Sequence, residues 1–325
     1  PGIGYHEAMI NFAFRALPVV IFFSSLISIA YHFGIIQIVV KWVAKLMEKS
    51  MKTSGAETLS ISANIFVGQT EAPILIRPYI KNMTTSELMA IMTGGFATVA
   101  GSVLALYVLW LEKIPGIAGH MLAASIMSAP ASLVIAKLIY PETEKTNSLD
   151  ELNLHIEKNT TNAMDALGNG ATQGLKLAAN IGAMLIAFIS ILSMINFTLE
   201  HFLNINLQEI LGMIFSPLAW TMGIPWKEAN IVGRLMGEKI VLTELIAYGS
   251  LGDLINNNLI SERSAIISSY ALCGFANFGS IGIQLGGIGA MAPEKRNILS
   301  KIVLKAMVGG ALASWLTATI AGILI

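Results

Sequence analysis

Long stretches without charged residues constrain this chain more than any other feature. Six stretches of 20 or more residues contain no Asp, Glu, Lys or Arg: 16–40, 88–111, 114–136, 177–199, 264–293 and 306–325. A helix of about 20 apolar residues is long enough to cross a bilayer core about 30 Å thick. The sequence therefore predicts an all-α integral membrane protein with several transmembrane spans.

The composition argues against other classes of protein. Only 40 of the 325 residues are charged, which is 12%, whereas soluble domains carry about 25%. The net charge is zero, so no basic field is available for nucleic acid. The single cysteine, Cys273, excludes a disulfide framework, and the five histidines lack metal-binding spacing. We expect no nucleic-acid partner, no catalytic residue and no cofactor.

Basic residues predict how the spans are oriented. They cluster after the first and fifth charge-free stretches: Lys41, Lys45, Lys49, Lys52, Lys295, Arg296 and Lys301. Because basic loops stay in the cytoplasm, segments 41–85 and 294–305 are predicted to lie inside and 112–119 outside. The polar segment 137–172 then falls inside as well, as a solvated connection.

Two apolar regions are too short and too interrupted to span the membrane. Segment 53–79 contains Gly68, Pro73 and Pro78, which break a helix in its second half. Segment 229–262 is apolar around a central glutamate, Glu244. Such pieces are typical of re-entrant hairpins, whose irregular backbone is tolerated only where protein or a water-filled cavity surrounds it.

The two regions also resemble each other. Thr70-Glu71 in the first corresponds to Thr243-Glu244 in the second, and Gly-Phe-Ala-polar follows in each case, at 95–98 and 274–277. The first half starts from the cytoplasm and the second from outside. This pattern predicts an inverted-repeat transporter with two re-entrant hairpins and broken transmembrane helices, whose site lies near the bilayer midplane.

Several polar residues of the two hairpin regions and of the span after the second lie in otherwise apolar surroundings: Gln69, Thr70, Glu71, Glu244, Asn277 and Ser280. A carboxylate at membrane depth costs at least ~2.5 kcal/mol unless it is partnered, so the two glutamates need a reason. Carboxylates accept the hydroxyl donors of a sugar diol, and Gln or Asn suits the edge of a nucleobase. Alternatively, these groups cap the hairpin tips and satisfy each other.

At this point longer motifs become recognisable. Residues 68–73, GQTEAP, followed by Ile76-Arg77-Pro78, resemble the first hairpin of the concentrative nucleoside transporters. Residues 270–278, YALCGFANF, resemble their penultimate span. The resemblance extends over nearly all of the chain. Bacterial members have eight spans and this chain resembles them from the third onward, so we expect two further spans upstream of residue 1.

The resemblance implies a role for particular residues. The predicted nucleoside-binding residues are Gln69, Thr70, Glu71 and Val103 at the base, Glu244, Asn277 and Ser280 at the ribose, and Phe275 as an aromatic wall. The predicted sodium ligands are Asn64, Val67, Thr98 and Val99. Family members are homotrimers in which transport domains move like an elevator against a scaffold.

The resemblance also suggests a division of the chain. The predicted parts are a scaffold span (1–40), a first transport half (41–140), a cytoplasmic connection with an interfacial helix (141–172), a second scaffold span (173–204) and a second transport half (205–325). Two positions depart from the family pattern. Thr243 stands where Asn usually precedes the second-hairpin glutamate, and Thr98 replaces a serine of the sodium site.

The leading hypothesis is a multi-pass transporter of the inner (plasma) membrane that imports nucleosides of the uridine, cytidine and adenosine class. The coupling ion is predicted to be Na⁺, with H⁺ as the alternative. Two other functions stay open: an intramembrane enzyme with Glu71 and Glu244 as an acid–base pair, and a non-transporting nucleoside-binding membrane receptor.

Overall fold

The computed structural model describes residues 17–144, 146 and 160–325. Secondary structure within these ranges is entirely helical. The part of the first predicted span before residue 17, and residues 145 and 147–159 of the predicted cytoplasmic connection, lie outside the described residues. The scaffold, transport and topology assignments made from the sequence stay predictions.

The first half begins with two helices that meet at a sharp bend. The bend between them is 76° and falls at Gly34, whose φ of 79° is in the left-handed region that favours glycine. A hairpin, an interrupted helix and a long helix follow. The elements are α1 (Leu17–His32), α2 (Ile35–Met51), α3 (Gly55–Asn64), a 3₁₀ turn (Ala72–Ile76), α4 (Arg77–Ile80), α5 (Thr85–Ala97), α6 (Gly101–Trp110) and α7 (Ile117–Ile139).

The second half repeats this order of elements. A long helix and a shorter one precede a hairpin of two helices, an interrupted helix and a final long helix. The elements are α8 (Ala163–Leu203), α9 (Leu207–Thr221), α10 (Trp226–Val241), α11 (Glu244–Asn256), α12 (Glu262–Leu272), α13 (Phe278–Met291), a 3₁₀ turn (Pro293–Lys295) and α14 (Arg296–Leu324). The repeat predicted from two short sequence matches therefore extends over whole elements.

Local capping explains where several of these helices begin. Ser54 and Glu57 form a reciprocal capping box at the start of the first hairpin, and Thr84 and Glu87 form another at the start of α5. In the second half, Thr243 and Asn277 accept backbone hydrogen bonds as the N-caps of α11 and α13. Each cap satisfies amide groups that would otherwise be left open at a helix start.

Besides stretch 16–40, which bends at Gly34, two of the six charge-free stretches are interrupted helices. Stretch 88–111 is interrupted between α5 and α6, and stretch 264–293 between α12 and α13. By length and composition, three helical stretches in the described part are long and apolar enough to span a membrane: Thr85–Trp110, Ile117–Ile139 and Pro293–Leu324. The bent pair α1–α2 would count as a fourth.

Among the described residues of segment 141–172, the structure has no separate interfacial helix. Residues from Ala163 onward belong to α8, a single helix of 41 residues. Glycines in this part serve helix packing, since a Cβ added at Gly170 would lie 2.6 Å from Ser25 Cα and one at Gly174 would lie 2.7 Å from Ile21 Cα. These glycines allow α8 to approach α1 closely, and the helix continues through the boundary predicted from the sequence.

The two interrupted helices meet through their backbones. Gly274, in the break between α12 and α13, has a φ of 99°, and a Cβ there would lie 2.5 Å from the carbonyl oxygen of Phe96. That oxygen belongs to the last turn of α5. Only a residue without a side chain permits this contact, so Gly274 joins the two halves at the level of both breaks.

Charged side chains connect the base of each hairpin to neighbouring helices. Lys137, near the end of α7, lies 2.8 Å from the carboxylate of Glu57 and donates to the hydroxyl of Ser86 at 3.0 Å. In the second half, Arg263 at the start of α12 donates to the carbonyls of Gly223 and Gly322. Each hairpin base is therefore joined to the helices that follow it.

Gly274→Ala is expected to destabilise the protein by about 1–3 kcal/mol, because a strained backbone conformation and a contact with the Phe96 carbonyl coincide there. Thermal unfolding of the detergent-solubilised protein measures the effect as a lower apparent melting temperature. Gly286→Ala is the matched control, since a Cβ at Gly286 meets nothing within 4 Å. Equal melting temperatures for the two variants would contradict the role given to Gly274.

Candidate functional site

The tip of the first hairpin lies against the break of its own half. The backbone amide of Gly101, which starts α6, donates to the carbonyl of Phe66 at 3.1 Å. The hydroxyl of Ser125 on α7 donates to the carbonyl of Ile65 at 3.3 Å. The irregular backbone after α3 is therefore satisfied by its neighbours, as a re-entrant tip at membrane depth requires.

Glu244 is the centre of a polar group in the second half. Its carboxylate accepts from the amide of Asn277 at 2.7 Å and from the hydroxyl of Tyr107 at 3.2 Å, and the residue is 6% exposed. Asn277 accepts from the backbone amide of Ser280 at 2.8 Å, so its side-chain orientation is determined from both ends. As the first residue of α11, Glu244 also lies at a helix N-terminus, which favours negative charge.

Thr243 has a definite task beside this carboxylate. Its hydroxyl accepts a hydrogen bond from the backbone amide of Ile246 at 3.4 Å and caps α11. Asn would also serve as an N-cap, so the departure from the family pattern preserves the start of the helix.

Gln69 connects the first hairpin tip with α13 of the other half. Its amide donates to the hydroxyl of Ser280 at 3.3 Å and accepts from the amide of Gln284 at 3.0 Å. The neighbouring Thr70 packs on α13 as well, since a Cβ at Gly287 would lie 2.7 Å from its methyl group. Four of the predicted nucleoside-binding residues, Gln69, Glu244, Asn277 and Ser280, are thus joined by hydrogen bonds.

The other predicted residues lie around this group with different exposure. Val103 is buried, and Phe275 is half-buried against the same apolar cluster. Glu71 is exposed and its carboxylate lies over Gly68, where a Cβ would be 2.1 Å from the oxygen. Among the described residues, the structure does not bring Glu71 into the hydrogen-bonded group of Glu244.

The predicted sodium ligands fall on both sides of the contact between hairpin tip and break. Asn64 ends α3, is 1% exposed, and neither its amide nitrogen nor its amide oxygen has a hydrogen-bond partner in the described part of the chain. Thr98 and Val99 follow α5, and the Thr98 hydroxyl donates to the carbonyl of Gly94 at 2.9 Å. A buried polar side chain without a partner is costly, which is typical of a site that takes a ligand.

Comparison with known proteins identifies the family. A family model described as "Na+ dependent nucleoside transporter C-terminus" matches residues 120–322, and one described as "Nucleoside recognition" matches residues 13–113. The nucleoside permease NupC of Helicobacter pylori is 41% identical, over 97% of this chain and 76% of that protein. The chain belongs to the Na⁺-dependent nucleoside transporter family.

Further relatives agree with this assignment. An uncharacterized transporter of Haemophilus influenzae is 43% identical over 97% of this chain and 76% of that protein. The sodium/nucleoside cotransporter 1 of Mus musculus is 41% identical over 98% of this chain and 52% of its own length. CNTnw in an inward-facing substrate-bound state superposes with a TM-score of 0.90 at 44% identity, over 96% of this chain and 75% of that chain.

The family membership confirms the predicted all-α membrane fold and the transporter class. The relatives are named transporters and permeases, so the alternative hypothesis of an intramembrane enzyme is wrong. The predicted residue roles are not tested by these similarities and stay proposals.

Sequence reasoning missed three polar residues that contact the hydrogen-bonded group or the break between α12 and α13. Tyr107 hydrogen-bonds Glu244 and stacks on Tyr248 with ring centroids 4.0 Å apart. Gln284 binds Gln69. Lys239, which is fully buried, donates to the carbonyls of Ala271 at 3.0 Å and Cys273 at 2.8 Å. A polar side chain isolated in an apolar segment was the available signal for Gln284, whereas Lys239 directly follows Glu238 and offers no such signal.

Lys239→Met is expected to lower the apparent melting temperature, because the carbonyls at the end of α12 lose their ammonium partner inside the protein. An unpaired buried carbonyl costs about 1–3 kcal/mol. Lys227→Met, at an exposed position on the same helix, is the matched control. Unfolding curves that coincide for both variants would show that Lys239 does not support the break.

Proposed function

We propose that this protein is a secondary active transporter that imports nucleosides across the inner membrane, driven by sodium. The observation that supports this most is the hydrogen-bonded group formed by Gln69, Glu244, Asn277 and Ser280. It joins the tip of one hairpin, the start of the other hairpin's second arm and an interrupted helix within otherwise apolar surroundings.

The chemistry of this group suits a nucleoside. The Glu244 carboxylate accepts hydrogen bonds, so it pairs with ribose hydroxyls, and Asn277 and Ser280 complete the polar surface there. Gln69, Thr70 and Glu71 are assigned to the base, with Val103 as an apolar contact and Phe275 as an aromatic wall. Asn277 and Tyr107 hold Glu244 in place before substrate arrives, which reduces the ordering cost of binding.

Sodium is proposed as the coupling ion on the chemistry of the donors. Na⁺ is a hard cation and prefers oxygen ligands. Asn64 supplies an amide oxygen, Thr98 a hydroxyl, and Val67 and Val99 backbone carbonyls. The unpartnered amide of Asn64 supports this assignment, because a bound ion would satisfy its oxygen. Proton coupling is the alternative outcome of the test below.

The membrane potential is sufficient to drive accumulation. One positive charge moving through ~100 mV supplies about 2.3 kcal/mol. Because about 1.4 kcal/mol corresponds to a factor of ten, this alone supports roughly fiftyfold accumulation before the sodium gradient is counted. Ion binding at Asn64 would order the hairpin tip that carries Gln69, so the ion site and the nucleoside site act through one short segment.

Elevator-type movement of a homotrimer is the proposed mechanical arrangement. The site is built mainly from the hairpins and the interrupted helices, which pack together, and it would move as a unit. The helix α8 exposes large apolar side chains, among them Ile186, Met194, Phe197 and Phe202, to its surroundings. Lipid and neighbouring subunits are the partners that suit such a surface.

Glu244→Gln is expected to abolish uridine uptake into proteoliposomes and to weaken uridine binding at least about tenfold, since hydrogen bonds to a charged group contribute about 1.5–3 kcal/mol. Glu262→Gln, an exposed change of the same kind, is the control. Normal uptake by the Glu244 variant would remove the ribose assignment. Binding of uridine without accumulation by the unaltered protein would favour the non-transporting receptor instead.

Asn64→Ala is expected to raise the sodium concentration that gives half-maximal uptake by about tenfold or more, as loss of support at a metal site commonly does. Ser62→Ala, whose hydroxyl donates to the Met47 sulfur, is the control on the same helix. Uptake by the unaltered protein that follows an imposed pH gradient and ignores sodium would establish proton coupling.

A further inference from the structure

Gln284 is a buried amide that none of the roles above uses. It lies on α13, is fully buried, and projects toward the first hairpin rather than toward Glu244. Its amide nitrogen donates to the side-chain oxygen of Gln69 at 3.0 Å and to the backbone carbonyl of Met92 at 3.1 Å. The two glutamines come from opposite halves of the chain.

The Met92 carbonyl determines which way both amides face. A backbone carbonyl accepts hydrogen bonds and cannot donate them, so Gln284 must turn its NH₂ group toward Met92. The reversed amide would place two oxygens against each other. Because the same NH₂ group also faces Gln69, Gln69 must present its oxygen to Gln284.

This leaves the NH₂ group of Gln69 as the part that is available to a ligand. In the structure that nitrogen lies 3.3 Å from the hydroxyl of Ser280, on the side of Asn277 and Glu244. An amide that is free to rotate offers a donor or an acceptor equally well. Held by Gln284, the Gln69 amide offers the donor only.

Gly95 provides the space in which the two amides meet. A Cβ at this position would lie 2.7 Å from the Gln284 nitrogen and 3.1 Å from Gln69 Cβ. Gly95 belongs to α5, which also carries the Met92 carbonyl. The donor direction of Gln69 is therefore built into α5 and α13 together.

We propose that Gln284 is a specificity-determining positioning residue, which fixes Gln69 as a hydrogen-bond donor toward the nucleobase. The site would then favour bases with a carbonyl oxygen on the recognised edge, such as uracil and hypoxanthine, over the corresponding amino bases, cytosine and adenine. This inference rests on the proposed function, because it requires that the protein binds nucleosides with the base at Gln69.

The physical reason is the cost of facing two donors toward each other. An amino group opposite the Gln69 NH₂ group places two donors against each other, and neither finds an acceptor there. A carbonyl oxygen at the same position accepts a hydrogen bond from the Gln69 NH₂ group. We expect uridine to bind about tenfold more tightly than cytidine, and inosine about tenfold more tightly than adenosine.

The experiment measures the affinities of uridine, cytidine, inosine and adenosine by competition with radiolabelled uridine on the purified protein. Gln284→Met retains the length of the side chain and removes its hydrogen bonds, so the Gln69 amide becomes free to rotate. The ratio of uridine to cytidine affinity and the ratio of inosine to adenosine affinity are both expected to fall from about ten toward one. Gln37→Met, where the amide donates to the Tyr31 carbonyl away from the site, should leave the ratios unchanged.

A purely structural role of Gln284 would weaken all four nucleosides alike and preserve the ratios, which would overturn the proposal. Ratios near one in the unaltered protein would also overturn it. Gln69→Leu removes the donor itself and serves where Gln284→Met does not fold: ratios that survive this change contradict the inference as well. Failure of the unaltered protein to bind any of the four nucleosides would instead disprove the proposed function.

Discussion

Backbone amides and carbonyls at the breaks after α5 and α12 lack helical hydrogen-bond partners and must find others in the apolar interior. The rest of the structure depends on how they do so. An unsatisfied peptide group in a membrane costs several kcal/mol. The Cys273 carbonyl accepts from Lys239 at 2.8 Å and also from the hydroxyl of Ser314. The Phe66 carbonyl accepts from the amide of Gly101. Each interrupted helix is thereby attached to the hairpin of its own half, and the functional side chains lie at those junctions.

The two halves meet this requirement differently. In the second half the side-chain nitrogen of Lys239 donates to two carbonyls at the end of the interrupted helix. In the first half the corresponding contact uses neutral groups, and the amide of Asn64 is left unpartnered. The second junction is therefore satisfied by a side chain of the protein, whereas the first retains a buried amide without a partner in the described part of the chain. Under the proposed coupling, that asymmetry is what allows a removable ion to control the tip that carries Gln69.

Sequence reasoning reached the membrane class, the repeat and most of the polar group, because charge is rare enough that Glu244 is conspicuous in its segment. The predicted broken transmembrane helices are confirmed, with breaks inside stretches 88–111 and 264–293. Hydropathy alone does not distinguish a broken helix from a whole one, so this prediction rested on the repeat and on the family resemblance. Sequence reasoning placed a boundary inside α8, because the polar segment that ends at residue 172 precedes the charge-free stretch 177–199, whereas the structure has one helix from Ala163 to Leu203. Tyr107 was missed because its contact with Glu244 spans 137 positions of the chain.

The short Gly-Phe-Ala match, one of the two that indicated the repeat, contains glycines with two different physical roles. Gly274 is required for its backbone, which has a positive φ and approaches the Phe96 carbonyl. Gly95 lies within a regular helix, and a Cβ there would displace the Gln284 amide. One glycine therefore joins the two halves and the other leaves room for the residue that orients Gln69. The repeat supplied equivalent positions, and each half uses its glycine for the contact that its own site requires.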